Sequence, residues 1–289
     1  MISKSAQILL SGLKIIQLKD RVDFVNPPRS KVPKVPCFSS HHILSTSWVI
    51  QERKVIHFSP KGTLSNKQVI FLHGGGYSIE GSELHFRLIK KLMDTSNASF
   101  TYVDYPLAPE SNVDTTLQMV MESYETLIKT YPNQQFILMG DSAGGGLALA
   151  LALQIKERKI QAPEKIILLS PWLDLELTNP KIQEYVYEDM ILDVEALLKI
   201  GEIYKGNHSF LDPMVSPKYG NFDGLGDITI FTGTSEIFYP DCVELKVQHA
   251  HEQVKIDIIV YEDMPHDWLL LPLPESKKAI QEVAEIIRK

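Results

Sequence analysis

Cysteine is scarce in this sequence: Cys37 and Cys242 are the two cysteines among 289 residues. Two are too few for the disulfide framework of a small secreted protein. Neither has other ligand residues around it at the spacing of a metal site. We therefore expect free thiols and no bound metal.

Long apolar runs are also missing. No stretch approaches the roughly 18 uninterrupted apolar residues that mark a transmembrane helix. The apolar run that starts at Ile8 is interrupted by Lys14 and lacks the small-residue cleavage site of a signal peptide. The sequence therefore predicts a cytoplasmic protein.

Basic residues are fewer than acidic ones: 29 Lys and Arg stand against 36 Asp and Glu, for a formal net charge of -7. General nucleic-acid binders usually carry a basic excess, so no nucleic-acid partner is expected. The charge is uneven along the chain. Residues 1–34 hold seven Lys or Arg and two Asp, so they carry +5 and the remainder carries -12.

This basic N-terminal segment has helical periodicity over residues 4–22, with apolar positions at Ile8, Leu9, Leu13, Ile16 and Leu18. The apolar face is expected to dock on the body of the protein. The alternative is a basic helix at a membrane surface, formed by residues 1–22. Prolines at 27, 28, 33 and 36 then interrupt regular structure. We interpret residues 1–46 as an arm that contributes to a cap.

The remainder, residues 47–289, is predicted to be one α/β domain. Strand and helix patterns alternate from residue 69 onward, which indicates a mostly parallel, doubly wound sheet with helices on both faces. Residues 48–58 alternate as one strand, paired antiparallel at a sheet edge. Residues 174–217 contain one helical pattern, at 193–204, and are interpreted as a lid insertion. Further helical patterns cover 83–93, 114–129, 241–253 and 275–288.

The chemistry centres on a Gly-Asp-Ser-Ala-Gly motif at residues 140–144, between the apolar run 136–139 and an Ala- and Leu-rich run. This order predicts a strand, a sharp turn and a helix, the setting of a nucleophile elbow. Gly140 and Gly144 leave room for the strained serine backbone. Ser142 is therefore the candidate nucleophile, at a helix N-terminus whose N–H groups favour negative charge.

An acid and a histidine are expected after Ser142, each just past a strand, because α/β-hydrolases carry their triad in the order Ser, Asp or Glu, His. His266 directly follows a late predicted strand and is the candidate general base. Two acids follow the predicted strand 228–231. Glu236 lies in the loop and is the preferred triad acid, whereas Asp241 opens a helical pattern and could serve at that helix N-terminus. Asp241 stays open as the alternative acid.

A glycine-rich loop, His-Gly-Gly-Gly at residues 73–76, follows another buried strand pattern. Consecutive glycines let backbone N–H groups approach a substrate oxygen, which makes this loop a candidate oxyanion hole. In the α/β-hydrolase fold the other N–H belongs to the residue after the serine, here Ala143. A phosphate-binding turn is the alternative, but no dinucleotide or Walker pattern follows.

Four motifs in order resemble the hormone-sensitive-lipase-like family of α/β-hydrolases, the bacterial family IV esterases. They are His-Gly-Gly-Gly at 73–76, Asp-Tyr-Pro-Leu-Ala-Pro-Glu at 104–110, Gly-Asp-Ser-Ala-Gly-Gly at 140–145 and Met-Pro-His at 264–266. The resemblance implies an α/β-hydrolase fold with a helical cap, a carboxylesterase acting on short to medium acyl esters, and no cofactor. Residues 1–66 match no pattern of the family, and Glu236 stands where the family more often has Asp.

The same resemblance implies oxyanion donors at Gly74 and Gly75, beside Ala143. It also implies that Tyr105 shapes the region near this loop. The candidate substrate-binding residues are Tyr77, Tyr105 and Trp172.

The combined motifs predict a serine carboxylesterase that acts on a small-molecule ester through an acyl-enzyme. A non-catalytic ligand receptor on the same scaffold is one alternative, since a fold does not fix function. An amidase or peptidase with the same triad is another. The physiological ester and any oligomeric state stay open.

Overall fold

The computed structural model describes residues 2–16, 19, 22–30, 42–62 and 65–289. Cys37, predicted to be a free thiol, and Leu18, predicted to be on the apolar helix face, lie outside the described residues. Cys242 is a buried free thiol.

The described strands are β1 (Ile43–Ile50), β2 (Arg53–Pro60), β3 (Lys67–Leu72), β4 (Ser99–Val103), β5 (Gln135–Asp141), β6 (Lys165–Leu169), β7 (Asp227–Ser235) and β8 (Ile256–Pro265). They form one sheet in the order β1-β2-β4-β3-β5-β6-β7-β8. β1 with β2 and β2 with β4 are antiparallel, and the other neighbouring pairs are parallel. The predicted mostly parallel sheet with an antiparallel edge is therefore confirmed.

The described α-helices are α1 (Lys4–Ile16), α2 (Glu83–Ser96), α3 (Val113–Thr130), α4 (Ser142–Glu157), α5 (Val194–Lys205), α6 (Tyr239–Gln248) and α7 (Pro274–Arg288). Capping boxes start α2 at Ser82 and α3 at Asn112, which satisfies backbone N–H groups that would otherwise lack acceptors. None of the described helices combines the length and apolar character that a membrane crossing requires.

Helices cover both faces of the sheet because neighbouring strand residues point in opposite directions. Ile70 and Leu72 of β3 pack in a core with α3, α4, α5 and α6. Val69 and Phe71 of the same strand pack in a second core with α1, α2 and α7. The doubly wound arrangement predicted from the alternation of strands and helices is present.

The edge of the sheet differs from the prediction. Residues 48–58 do not form one strand, because the chain reverses at Gln51 and Glu52 between β1 and β2. Both residues have positive φ, 46° and 63°, which is the backbone of a two-residue hairpin turn. Such turns are usually marked by Asn-Gly or Asp-Gly, and Gln-Glu carries no comparable signal.

Helix α6 is shorter than predicted, ending at Gln248 and not at residue 253. The ring of His249, the C-terminal cap residue, stacks on Phe222 at 3.8 Å between centroids, and its Nε2 lies 3.1 Å from the Lys218 carbonyl oxygen. These contacts draw the chain into the core where the helical pattern would have continued.

The N-terminal helix docks on the body of the protein. Ala6 and Leu10 are buried in the core beside α7, and the Ser3 N–H donates to Glu275 of α7 at 2.6 Å. Ile8, which the sequence placed on the docked face, is instead 74% exposed. The buried stripe therefore passes through Ala6 and Leu10.

Candidate active site

The strand, turn and helix around Ser142 form a sharp elbow. β5 ends at Asp141, α4 begins at Ser142, and Ser142 has a φ of 53°. A Cβ at Gly140 would lie 2.2 Å from the Gly144 carbonyl oxygen, and one at Gly144 would lie 2.1 Å from the Leu72 carbonyl oxygen. Both positions therefore require glycine, and the strained serine is held by its surroundings.

Three side chains from separate strand ends meet at this elbow. His266, directly after β8, has its Nε2 2.8 Å from the Ser142 Oγ. Its Nδ1 lies 2.7 Å from Oε2 of Glu236, which directly follows β7. All three residues are buried, with at most 4% of their surface exposed. The distances are those of a nucleophile, a base and an orienting acid.

Glu236 is fixed by three further donors. Its Oε1 accepts hydrogen bonds from the Ser170 hydroxyl at 2.9 Å, the Thr232 hydroxyl at 2.7 Å and the Gly233 N–H at 2.9 Å. Oε1 is thus fixed by these three hydrogen bonds, while Oε2 faces the imidazole of His266.

Asp241, the alternative acid, lies in a different network. Its Oδ1 accepts from Asn179 at 3.1 Å and lies 3.4 Å from the Lys218 Nζ. Lys218 also binds Asp174 at 2.6 Å. Asp241 lies in the first turn of α6, as expected, and the partners of its Oδ1 there are this buried lysine and the Asn179 amide.

The glycine-rich loop lies beside the elbow, but one of its N–H groups is already engaged. The Gly74 N–H donates to the Asp141 Oδ2 at 3.0 Å. Within the described chain, the N–H groups of Gly75 and Gly76 have no hydrogen-bond acceptor. These two glycines have φ of 112° and 60°, and the Ala143 N–H lies in the first turn of α4, where backbone donors lack intrahelical acceptors.

Residues 69–270 match a family model described as alpha/beta hydrolase fold. The chain belongs to this α/β-hydrolase family. An esterase of Acinetobacter venetianus is 31% identical over 230 residues, which cover 78% of this chain and 76% of that protein.

Solved structures of esterases are similar to this chain over nearly its whole length. A structure of EstE5 soaked with p-nitrophenyl butyrate has a TM-score of 0.83 and 26% identity, covering 96% of this chain and 97% of that one. An esterase of the bacterial hormone-sensitive lipase family has the same TM-score and coverages at 25% identity. The resemblance to hormone-sensitive-lipase-like esterases is thereby confirmed.

The three aromatic residues expected to bind substrate are buried in the core of the hydrolase. Tyr77 is 2% exposed, and Tyr105 and Trp172 are fully buried. Tyr77 stacks on Tyr204 at 3.8 Å between centroids, and Tyr105 stacks on His73 at 4.3 Å. Their observed contacts support the glycine loop and the elbow, and direct substrate contact stays a prediction.

The N-terminal arm of the hydrolase reaches the glycine loop. The ring of buried Phe24 packs so tightly on Gly76 that a Cβ at Gly76 would lie 2.6 Å from its Cδ1. The Arg29 guanidinium donates to the carbonyl oxygens of Ser78 and Ala108 and pairs with the Glu110 carboxylate at 2.7 Å. The arm thus contributes to the environment of the site.

One acidic residue of the site gave no signal in the sequence. Asp267 has its Oδ2 3.2 Å from the His266 Nε2. Burial lowers the pKa of His266, but the carboxylates of Asp267 and Glu236 outweigh it and hold this pKa well above its ordinary value. Burial raises the pKa of Asp267 to about 6. The sequence shows that Asp267 is next to His266, but it does not show the direction of the Asp267 side chain, which depends on a left-handed backbone with a φ of 51°.

The described residues contain no group of three or more His, Cys, Asp or Glu side chains that could hold a metal ion.

Proposed function

We propose that this chain hydrolyses carboxylic esters of short to medium acyl length through an acyl-enzyme on Ser142. Membership of the family and the esterase relatives support the class of carboxylic ester hydrolase. The observation that carries the mechanism is the aligned pair of contacts made by His266, 2.8 Å to the Ser142 Oγ and 2.7 Å to Glu236.

In the first half-reaction the Ser142 Oγ bonds to the ester carbonyl carbon while its proton moves to the His266 Nε2. The carbonyl electron pair moves to the oxygen, giving a tetrahedral oxyanion. The bond to the alkoxy group then breaks, and its oxygen takes the proton from Nε2. Glu236 holds the ring and stabilises its charged form throughout.

In the second half-reaction water attacks the acyl carbon as its proton moves to the His266 Nε2. The Ser142 Oγ leaves with that proton, and the free acid is released. The elbow returns to its starting state without a cofactor.

We propose Gly75, Gly76 and Ala143 as the oxyanion donors, which replaces Gly74 in the set expected from the sequence. The Gly74 N–H is bound to Asp141, so it has no proton to offer a substrate oxygen. The two following N–H groups are available on a loop whose positive φ values allow consecutive donors to point the same way.

Residues 1–46 and 174–217 are proposed to cover this site as a cap. Support comes from Phe24 on the glycine loop and from the Lys19 Nζ, which donates to the Val186 carbonyl oxygen at 3.0 Å and so links the arm to the lid. The docked α1 favours this role over binding of residues 1–22 to a membrane surface. A cytoplasmic location is proposed from the scarcity of cysteine.

The test is a series of p-nitrophenyl esters from acetate to palmitate, with the Ser142→Ala variant as control. We expect the highest kcat/KM between acetate and octanoate, and loss of activity in the variant with little loss of stability, because alanine removes no packed group. An organophosphate should form one adduct, on Ser142, detected by mass spectrometry. A tenth of wild-type activity remaining in Ser142→Ala would exclude Ser142 as the nucleophile, and a maximum at palmitate would exclude the chain length.

A further inference from the structure

The candidate catalytic histidine is flanked by two carboxylates, one at each ring nitrogen. Glu236 lies 2.7 Å from Nδ1 of His266, as a triad acid does. Asp267 lies on the other side, with its Oδ2 3.2 Å from Nε2, the nitrogen that also contacts Ser142. A carboxylate at Nε2 faces the nitrogen that exchanges protons during the reaction.

The Asp267 side chain is held in this position by its backbone. Its φ of 51° lies in the left-handed region, which Asp and Asn tolerate better than other residues. The Asp267 carbonyl oxygen accepts from the Leu270 N–H at 2.9 Å at the start of a 3₁₀ turn. Its side chain is 17% exposed, and in the described chain its buried Oδ1 has no hydrogen-bond partner. The carboxylate therefore acts on His266 through Oδ2.

The two protonation states of the imidazole respond to this carboxylate in opposite ways. The neutral base presents the Nε2 lone pair, which a nearby negative charge repels. The imidazolium presents an N–H, which the same charge attracts. Asp267 therefore favours the protonated ring, both in the resting enzyme and in the transition state.

We propose that Asp267 is a positioning residue of the catalytic base, which holds the His266 ring from the Nε2 side and stabilises its imidazolium form. The role rests on the proposed triad. As a consequence, the midpoint of the acid limb, the pH at which activity is half lost on acidification, is higher than it would be if Glu236 were the only carboxylate beside His266.

Other charged groups around His266 do not replace this contact. Glu236 comes from the end of β7, and buried Asp189 of the 174–217 segment lies farther away, its Oδ2 accepting from the Ile237 N–H at 3.0 Å. Asp141 of the elbow also acts on Asp267, but its Oδ2 is 3.1 Å from the His85 Nε2 of α2. The His85 Nδ1 accepts the Ser82 N–H at 2.9 Å, so its Nε2 carries the proton and donates to Asp141, which engages this carboxylate oxygen away from His266.

The direct test is the pH dependence of kcat/KM for a neutral p-nitrophenyl ester in wild type, Asp267→Asn and Asp263→Asn. Asparagine keeps the shape and tolerates the left-handed backbone. Asp263 is a matched control, because it has a φ of 58°, lies near the end of β8 and is exposed. We expect the acid limb of Asp267→Asn to move about 1 unit to lower pH, the order of shift that one adjacent charge produces.

Below both midpoints, Asp267→Asn should therefore retain about tenfold more of its own plateau activity than wild type does. A purely structural role for Asp267 would lower activity equally at every pH and leave the midpoint unchanged. An unchanged midpoint, or an equal shift in Asp263→Asn, overturns the proposal.

A measurement on the wild-type chain can overturn the proposal even if the variant does not fold. An NMR titration of the His266 ring should show the imidazolium persisting above pH ~6.5, where an ordinary histidine loses its proton. A midpoint at or below that value overturns the proposal. The titration does not depend on turnover, so it tests the role of Asp267 separately from the proposed function. Failure of the organophosphate to label Ser142 would instead contradict the proposed function.

Discussion

Phe24 lies against Gly76, with so little space between them that a Cβ on the glycine would be 2.6 Å from the phenylalanine Cδ1. Gly76 is a proposed oxyanion donor, and Phe24 belongs to the N-terminal arm. The arm therefore touches the backbone on which transition-state stabilisation is proposed to depend. A disturbance of the arm is expected to reach the chemistry.

Arg29 is the residue through which this link can be tested. Its guanidinium donates to the carbonyl oxygen of Ser78, just after the glycine loop, and to that of Ala108, and it pairs with Glu110. We expect Arg29→Ala to lower kcat/KM roughly tenfold, since small displacements of catalytic groups are costly. The control is Arg87→Ala, which removes an exposed arginine paired with Glu83 on α2. Steady-state kinetics that do not distinguish Arg29→Ala from wild type would contradict the link.

The identity of the triad acid gives a sharper comparison. Glu236→Gln should lower kcat by orders of magnitude, as the loss of a triad carboxylate can cost ~10⁴-fold. Asp241→Asn should change kcat only modestly, because Asp241 binds Asn179 and Lys218 and not the histidine. Measured kcat values in the reverse order would make Asp241 the acid.

The Lys218 network is expected to contribute to stability. The side chains of Lys218, Asp174 and Asp241 are at most 6% exposed. Lys218→Met leaves two buried carboxylates without their cation, so it should lower the free energy of unfolding by about 3–5 kcal/mol. Lys181→Met is the control, since Lys181 forms an exposed pair with Glu244. Denaturant titration measures both, and equal effects would contradict the prediction.

The effect of Lys218→Met should also depend on pH. Burial raises the pKa of Asp174, but hydrogen bonds from Lys218 and Thr178 outweigh it and hold this pKa below its usual value. A lowered folded-state pKa stabilises the fold above the unfolded pKa, and this contribution is lost as pH falls through the folded value. The deficit of the variant is therefore largest at neutral pH and shrinks below pH ~4. A loss of unfolding free energy that is the same at every pH would contradict a contribution from the titration of Asp174.

The sequence predicted those parts of the molecule that depend on local pattern. The elbow around Ser142 and the position of His266 after a strand follow from residues close together in the chain. Parallel strands end at one edge, so chain order was enough to predict that these residues would meet. The hairpin at Gln51 and Glu52 could not be predicted, because its residues carry no turn signal.

Features that depend on contacts between distant segments were not visible in the sequence. The Gly74 N–H is occupied by Asp141, 67 positions away along the chain. Asp267 faces Nε2 because of one left-handed residue. In α1, packing against α7 determines which side chains are buried. Helical periodicity alone does not show this, and Ile8 is exposed.

His266 follows β8, which is the last strand in the sheet order and, in the described part of the chain, pairs with β7 alone. Ser142 follows the interior strand β5. Local opening of this edge strand would separate the proposed base from the proposed nucleophile while the other strands stay paired. If β8 opens before the rest of the sheet, loss of activity in denaturant precedes global unfolding, and the resistance of the proposed activity to denaturant is set by this one edge strand.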